Sequence, residues 1–213
     1  KIYTLGLLQR NTLDTSYGEV IFGFDTEYTD SSLVYNQDFN TTASGKTYTK
    51  GAIYDYDVTY SAIAPYINNK WEITDKLDFV IGARYDYNKF DYTNNLSTGN
   101  DSSGVYYRPG DKKDSFTHFS PKASLTYKLD ETTTLYTRYA NGFTIPTASK
   151  LYSMKSTYKE SKLEPETTNT YEVGFKKLFE NKSYFESSIY FMDIDDTITS
   201  NKDSSGVSYN LNS

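Results

Sequence analysis

Alternation between apolar and polar residues is the strongest pattern in this chain. In residues 77–88 the odd-numbered positions are apolar or aromatic, and the even-numbered positions are mostly polar. Because successive side chains of a β-strand point to opposite faces, this period of two predicts strands with one apolar and one polar face. The chain is therefore predicted to be all-β. Strands are expected at residues 2–10, 18–28, 50–68, 71–91, 116–128, 133–140, 168–179 and 183–195, and a ninth is expected to begin near Val207.

The predicted connections alternate in length. Tight links are expected within 11–17, 74–76, 130–131 and 180–182, and long polar links at 29–49, 93–115, 141–167 and after Thr199. Short turns at one end of the sheet and long loops at the other are typical of a membrane barrel. Most of the predicted strands also have about the 9–11 residues that cross a bilayer at a tilt. The pattern favours an antiparallel, up-and-down transmembrane β-barrel.

The composition fits a wall with one apolar and one wet side. Hydrophobic residues make up 37% of the chain, aromatic residues make up 17%, and there are 23 tyrosines. Tyrosine has an apolar ring and a polar tip, so it suits membrane interfaces and binding surfaces. A polar barrel interior also explains the low mean hydropathy of −0.68. A soluble β-sandwich with tyrosine-rich edges is the alternative that the pattern leaves open.

Several functional classes are disfavoured by the residues present. The net charge of −6 argues against a nucleic-acid partner, which requires a basic face. With no cysteine there is no disulfide or thiolate metal site, and the single histidine, His118, excludes any site that needs two. No Ser/His/Asp set, P-loop or dinucleotide fingerprint is found. We therefore expect neither catalysis nor a bound cofactor.

Short motifs in a fixed order carry a resemblance to a known family. They are YINNKW at 66–71, TDKL at 74–77, GARYD at 82–86, FSPK at 119–122, LY at 135–136, NGF at 141–143 with Pro146, LY at 151–152, LEPE at 163–166, YEVG at 171–174 and FMDIDD at 191–196. In this order and spacing they resemble the barrel of TonB-dependent outer-membrane receptors. Thr144 departs from the pattern, since many relatives carry arginine there.

This resemblance implies a plugged barrel of about 22 strands in the bacterial outer membrane. Residues 1–213 are expected to be a central segment of about eight or nine strands, without the plug domain and its coupling box. Such receptors take up ferric siderophores, haem, cobalamin or similar scarce ligands and are energised by the TonB system. A ferric siderophore or similar iron complex is the expected ligand. The expected partners are therefore outer-membrane lipid, the iron complex and, through the plug, TonB. The alternatives are a haem or cobalamin receptor of the same family, a passive porin-like channel and a soluble β-rich binding module.

The candidate ligand contacts are tyrosines and arginines. Tyr106, Tyr107 and Arg108 fall in a long link, and such residues make stacking, cation–π and charge-assisted contacts. Arg84 and Arg138 fall on the polar face, Arg138 near the extracellular end of its strand. These arginines either line the ligand path or pair with other charges of the wall and the plug.

Three further features are expected to be structural. His118 is predicted at a strand end near the membrane interface. The cluster of Asp193, Asp195 and Asp196 is predicted to be a solvated strand end, although carboxylates of this kind can bind calcium. Gly82 and Gly174 are expected to relieve crowding within the wall or to allow a bend.

Overall fold

The computed structural model describes residues 1–152, 154 and 162–213, so part of the third long link lies outside the described residues. Within them, eight long antiparallel strands form one sheet, and short strands form hairpins in the long links. The elements are β1 (Ile2–Thr15), β2 (Gly18–Gln37), β3 (Thr41–Ala43), β4 (Lys46–Tyr48), β5 (Gly51–Thr74), β6 (Leu77–Asn94), β7 (Gly99–Asn100), β8 (Tyr107–Arg108), β9 (Lys112–Lys128), β10 (Thr133–Thr144), α1 (Ala148–Leu151), β11 (Glu166–Leu178), β12 (Tyr184–Asp195), β13 (Ile198–Lys202) and β14 (Ser208–Asn212). In the described part of the chain, no helix has the length and apolar character needed to cross a membrane.

The long strands follow one another in chain order across the sheet, as β1-β2-β5-β6-β9-β10-β11-β12. At one end they are joined by the tight links 16–17, 75–76, 129–132 and 179–183, and at the other by the long links 38–50, 95–111 and 145–165. We call these the tight-turn end and the long-link end. The all-β, up-and-down architecture and the alternation of link lengths are therefore confirmed.

The predicted ninth strand is wrong as a strand of the wall. β14 pairs with β13 in a separate hairpin and has no partner in the eight-stranded sheet. This hairpin folds onto the third long link, where the side chain of Asn212 donates a hydrogen bond to the carbonyl oxygen of Glu164 at 2.9 Å. The alternation near Val207 thus reflects packing of a link and not a further membrane-crossing strand.

The two faces of the sheet differ in the predicted sense. On β6 the side chains of Ile81 and Tyr85 are 45% and 47% exposed, whereas Asp86 is 8% exposed. We call the face of Ile81 the outer face and that of Asp86 the inner face. The register extends both faces across the sheet, since Ile81 pairs with Ala123 and Tyr85 with Phe119. A soluble sandwich would cover the apolar face, whereas here it lies open, as a wall in contact with lipid requires.

The apolar band of the outer face ends partway along the strands. On β6 the outer positions change after Tyr87 to Lys89 and Asp91. On β5 the tyrosines at 54, 56 and 60 belong to the inner face, because Tyr60 pairs with Phe90, which lies on the same side of β6 as Asp86. These tyrosines therefore mark an inner aromatic surface beyond the band, while the alternation at 77–87 marks the band itself.

A small apolar core at the long-link end fastens the links to the inner face. Its buried members are Phe90, Tyr92, Phe116, Leu151, Tyr152, Leu163 and Ile198. They come from β6, β9, β13, α1 and the third long link, so their burial joins separate parts of the chain. Loops without such a core are generally mobile. The core therefore gives the long-link end a defined inner surface.

The two glycines expected in crowded positions are found there. A Cβ atom at Gly174 would lie 2.2 Å from Cζ of Tyr136, and one at Gly82 would lie 2.2 Å from Oδ1 of Asn68. Neither glycine has a positive φ. Close approach of a neighbouring side chain, and not backbone conformation, explains both glycines.

Candidate functional site

An ion-pair cluster on the inner face joins β2 to β6. The guanidinium of Arg84 donates to Asp25 through Nη1 and to Oδ1 of Asp86 through Nε, the latter at 2.9 Å. Closer to the long-link end, the Tyr60 hydroxyl donates to Oδ1 of Asn88 at 2.7 Å. The other carboxylate oxygen of Asp86 and the amide nitrogen of Asn88 are buried and make no hydrogen bond. The cluster thus retains one acceptor and one donor for a further group.

A second polar cluster lies on the inner face of β10, β11 and β12. Nη2 of Arg138 lies 2.5 Å from Oε2 of Glu172. The Tyr136 hydroxyl donates to Glu172 at 3.1 Å and to Glu186 at 3.3 Å, and Nζ of Lys176 lies 3.1 Å from Glu186. These groups satisfy one another across three strands. The arrangement is that of a wall-bracing network.

Seven tyrosines at the long-link end contact one another, and we call them the tyrosine chain. Its members are Tyr35, Tyr48, Tyr54, Tyr56, Tyr92, Tyr106 and Tyr152. The ring centroids of Tyr92 and Tyr152 are 4.8 Å apart, and Tyr106 meets Tyr54 edge-on at 5.6 Å. Contacts of this length are attractive, and each is worth about 0.5–1.5 kcal/mol beyond the burial of area. The chain connects β2, β4, β5 and β6 to two of the long links.

The tyrosine chain has a dry end and a wet end. Tyr92 and Tyr152 are 2% and 3% exposed, whereas Tyr35 is 45% exposed. Burial, together with Tyr106 and Asp101 nearby, raises the pKa of Tyr54 to about 12, so this hydroxyl stays protonated at neutral pH. The ring faces at the wet end are available to a ligand, while the dry end fixes their position.

The link between β6 and β9 is organised around Asp101. Its carboxylate accepts hydrogen bonds from the backbone N–H groups of Ser103, Val105 and Tyr106 at 3.2, 3.0 and 2.9 Å. Burial by itself would raise the pKa of Asp101, but these bonds and the Ser103 hydroxyl outweigh it and hold the pKa below its usual value. The ionised carboxylate therefore fixes the backbone that presents Tyr106.

The three predicted contacts in this link have different roles. Tyr106 joins the tyrosine chain, and the backbone N–H of Tyr107 donates to the third long link. The guanidinium of Arg108 donates to the carbonyl oxygens of Ile53 at 2.9 Å and Ala52 at 2.6 Å. Arg108 thus holds the link against β5, which leaves Tyr106 as the residue of the three best placed for a ligand.

Arg84 and Arg138 lie on the wall, apart from the link and from each other. The expected position of Arg138 near the end of its strand is wrong, because β10 continues to Thr144 and Arg138 falls in its middle. The structure therefore does not gather the five predicted residues into one site.

Sequence reasoning missed most of the tyrosine chain. The recurrence of tyrosine at 54 and 56 was a usable signal, since both lie on one face of β5. Tyr35, Tyr48 and Tyr152 gave no such signal. They reach the chain through an extended strand, a short hairpin and a link, none of which the periodicity identifies.

His118 is a wall residue. One of its ring nitrogens lies 2.6 Å from Oδ1 of Asn141, and the ring stacks on Phe143 with centroids 4.5 Å apart. Its predicted position at a strand end is wrong, because β9 begins at Lys112. It does lie near the edge of the apolar band, since it pairs with Asp86 beside Tyr87.

The aspartate cluster closes β12 as predicted. β12 ends at Asp195, and the three aspartates are exposed. Among the residues that the structure describes, no group of three or more histidine or acidic side chains could hold a metal ion. The cluster is a solvated strand end.

Comparison with known proteins relates these features to a family. The family described as TonB dependent receptor-like, beta-barrel, matches residues 2–213. The copper transporter OprC has a TM-score of 0.75 at 15% identity, over 99% of this chain and 33% of that one. The ferric citrate transporter FecA in the unliganded form gives 0.71 at 17% identity, over 98% and 30%. The ferric yersiniabactin uptake receptor FyuA from Yersinia pestis gives 0.65 at 18% identity, over 92% and 28%. At these identities the likeness is one of fold, and this chain spans about a third of each structure.

Proposed function

Because this chain belongs to the TonB-dependent receptor family, as part of its β-barrel, we propose that the whole protein imports a ferric siderophore or a similar iron complex. The protein lies in the bacterial outer membrane, and its family consists of transport receptors, not of enzymes. Both statements agree with the expectations from the sequence. The passive-channel and soluble-module alternatives do not fit membership of this family.

The observation that carries the choice of ligand is the wet end of the tyrosine chain. Tyr35, Tyr48 and Tyr106 present aromatic rings at the long-link end, which is the extracellular end of a barrel whose periplasmic turns are short. Aromatic faces bind aromatic or cationic ligand groups by stacking and cation–π contacts. A ferric siderophore with aromatic rings suits such a surface.

Energy for import is proposed to come from TonB, acting through a plug domain. The wall offers this mechanism a partly unsatisfied polar surface around Asp86 and Asn88 on its inner face. The outer face would contact lipid through the apolar band. The chain itself contributes the rigid wall and the extracellular aromatic surface.

His118, the single histidine of the chain, does not favour a haem ligand. Ligation of haem iron by a histidine needs a free ring nitrogen at an accessible position. At His118 one ring nitrogen is engaged by Asn141, and the ring is stacked on Phe143 within the wall, away from an accessible position.

Binding by the full-length protein in detergent tests the ligand class. Ferric siderophores with and without aromatic rings, haem, cobalamin and copper ions are compared by isothermal titration. We expect Tyr106→Ala to weaken binding of the aromatic siderophore about threefold to tenfold, from the value of one ring contact. Tyr106→Phe should bind nearly as well as the native protein.

The matched control for this substitution is Tyr127→Ala, which removes an exposed tyrosine of the outer face near the tight-turn end. It should leave binding unchanged. Preferential binding of haem, cobalamin or copper would contradict the siderophore proposal, and so would equal effects of Tyr106→Ala and Tyr127→Ala. Import assays in cells with and without TonB test the coupling separately, because binding should persist while import stops.

A further inference from the structure

A concave apolar surface lies on the outer face of β9, β10 and β11, and we call it the outer groove. It is open to the outside and has a volume of about 600 Å³. Its side walls are bulky, with Phe79 and Leu125 on one side and Tyr171 and Phe191 on the other. Between them lies a floor of smaller side chains, which includes Ala123 and Thr137.

The floor and walls follow from the strand register. Thr137 pairs with Leu125 on one side and with Val173 on the other, which places one short side chain between neighbours on both strands. Tyr139 and Tyr171 form an aromatic pair 5.1 Å apart one step toward the long-link end. The groove therefore arises because short side chains lie beside bulky ones that pair with them on the neighbouring strands. It opens to the outer face.

Two polar side chains of the outer groove are satisfied by the protein. The Thr137 hydroxyl donates to the carbonyl oxygen of Glu172 at 3.1 Å, and the Tyr139 hydroxyl donates to Oδ1 of Asn169 at 3.0 Å. Each of these hydrogen bonds occupies a hydroxyl group that would otherwise attract water or a polar ligand. The lining is otherwise mostly apolar.

Two charged residues, Arg138 and Glu172, line the outer groove, and their side chains pair with each other. On β11 and β12, which the structure describes in full, the nearest charged outer-face residues are Lys177, toward the tight-turn end, and Asp193, toward the long-link end. The outer-face positions of both strands between these two levels are uncharged. The groove is continuous with the apolar band, which is the surface of the wall in contact with lipid. An occupant must therefore come from the hydrocarbon of the membrane.

We propose that the outer groove is a binding site for an acyl chain of a membrane lipid. Its volume lies within the 300–1,000 Å³ typical of small-molecule pockets, so it can hold a chain in a defined position. The groove lies directly behind the Arg138–Glu172 pair on the inner face of the same strands. A bound chain would fill the concavity and stiffen this part of the wall.

Lipid retention by the full-length protein tests this site. The protein is reconstituted with phosphatidylethanolamine, extracted into detergent and examined by native mass spectrometry. Ala123→Phe fills the floor and should lower the retained lipid at least threefold. Ala83→Phe is the matched control, because Ala83 is also half-buried on the outer face of the adjacent strand but does not line the groove. It should retain lipid as the native protein does.

A second variant guards against loss of folding. Thr137→Phe fills the same floor at an exposed position, and heat-dependent gel mobility reports whether each variant forms the barrel. Equal retention by the native protein and both groove-filling variants would overturn the proposal. A change of oligomeric state without a change in lipid would also overturn it, in favour of a protein partner. The result does not depend on which ligand is imported, since it rests on the membrane location alone.

Discussion

The contact between Tyr136 and Gly174 gives the sharpest test of how the wall is packed. The Tyr136 ring lies over Gly174, and a Cβ there would come within 2.4 Å of two ring carbons and the hydroxyl oxygen. In Gly174→Ala the ring must swing away. It then loses its hydrogen bonds to Glu172 and Glu186 and its position 5.2 Å from Nζ of Lys176.

The expected magnitude follows from these contacts. The single hydroxyl hydrogen of Tyr136 is shared between the two carboxylates. A hydrogen bond to a charged group is worth about 2 kcal/mol, and the cation–π contact adds about 0.5 kcal/mol at a partly exposed site. Alanine recovers about 0.5 kcal/mol of backbone entropy relative to glycine in a strand. The net loss is therefore about 2 kcal/mol, which corresponds to a fall of a few degrees in the thermal midpoint.

A double-mutant cycle isolates the contact. Thermal unfolding of the full-length protein in detergent, followed by heat-dependent gel mobility, compares Gly174→Ala, Tyr136→Ala and the double variant. Because Tyr136→Ala removes the ring, the added methyl should then cost nothing. The double variant should be no less stable than Tyr136→Ala.

The control for this cycle is Gly142→Ala. Gly142 lies on β10, the strand of Tyr136, and a Cβ there would meet no atom within 4 Å. It should be neutral or slightly stabilising. Additive losses in the double variant, or an equal loss in Gly142→Ala, would refute the explanation by close approach.

Three further outcomes follow from the structure. Leu163→Ala removes a side chain that is 4% exposed in the small core and should lower the local stability by about 2–4 kcal/mol. Hydrogen exchange should then rise at β13 but not in the wall. Leu129→Ala, at an exposed position, is the control. Asp101→Asn should speed exchange of the Val105 and Tyr106 amides at neutral pH. In the native protein, exchange of the same amides should speed up as the pH falls below about 4. A carboxyl whose folded pKa is lowered contributes stability above its unfolded pKa and loses that contribution below it. An Asp101→Asn variant with the native pH profile would contradict this role of the carboxylate. Arg84→Ala leaves the carboxylates of Asp25 and Asp86 unpaired and should lower the thermal midpoint. Adding Asp86→Asn should restore part of the lost thermal midpoint. No recovery in the double variant would disprove the pairing.

The strands of the band were predictable because the membrane imposes a local rule. Ile81 and Tyr85 on β6 must face lipid while Asp86 faces the interior. Because alternate residues of a strand face opposite sides, this requirement produces a period of two in the sequence. The tight turns were predictable for a related reason, since the periplasmic turns of a membrane barrel are short.

The extensions beyond the band were less predictable. β2 reaches Gln37 and β10 reaches Thr144, where both faces of the sheet meet water or folded links. With no lipid on either side, polar and apolar residues no longer separate by face, and the alternation fades. The expected position of Arg138 was wrong for this reason.

The sequence by itself determined that the chain is an antiparallel membrane wall, which of its faces is apolar and which end carries the long links. Tertiary structure decided the rest: the tyrosine chain, the role of Arg108 as a brace and the hairpin that replaced a ninth strand. Periodicity records the environment of each strand, and that environment is the same along its length within the bilayer. The tyrosine chain instead joins residues as far apart as Tyr35 and Tyr152, and contacts between distant links depend on packing that leaves no repeat in the sequence.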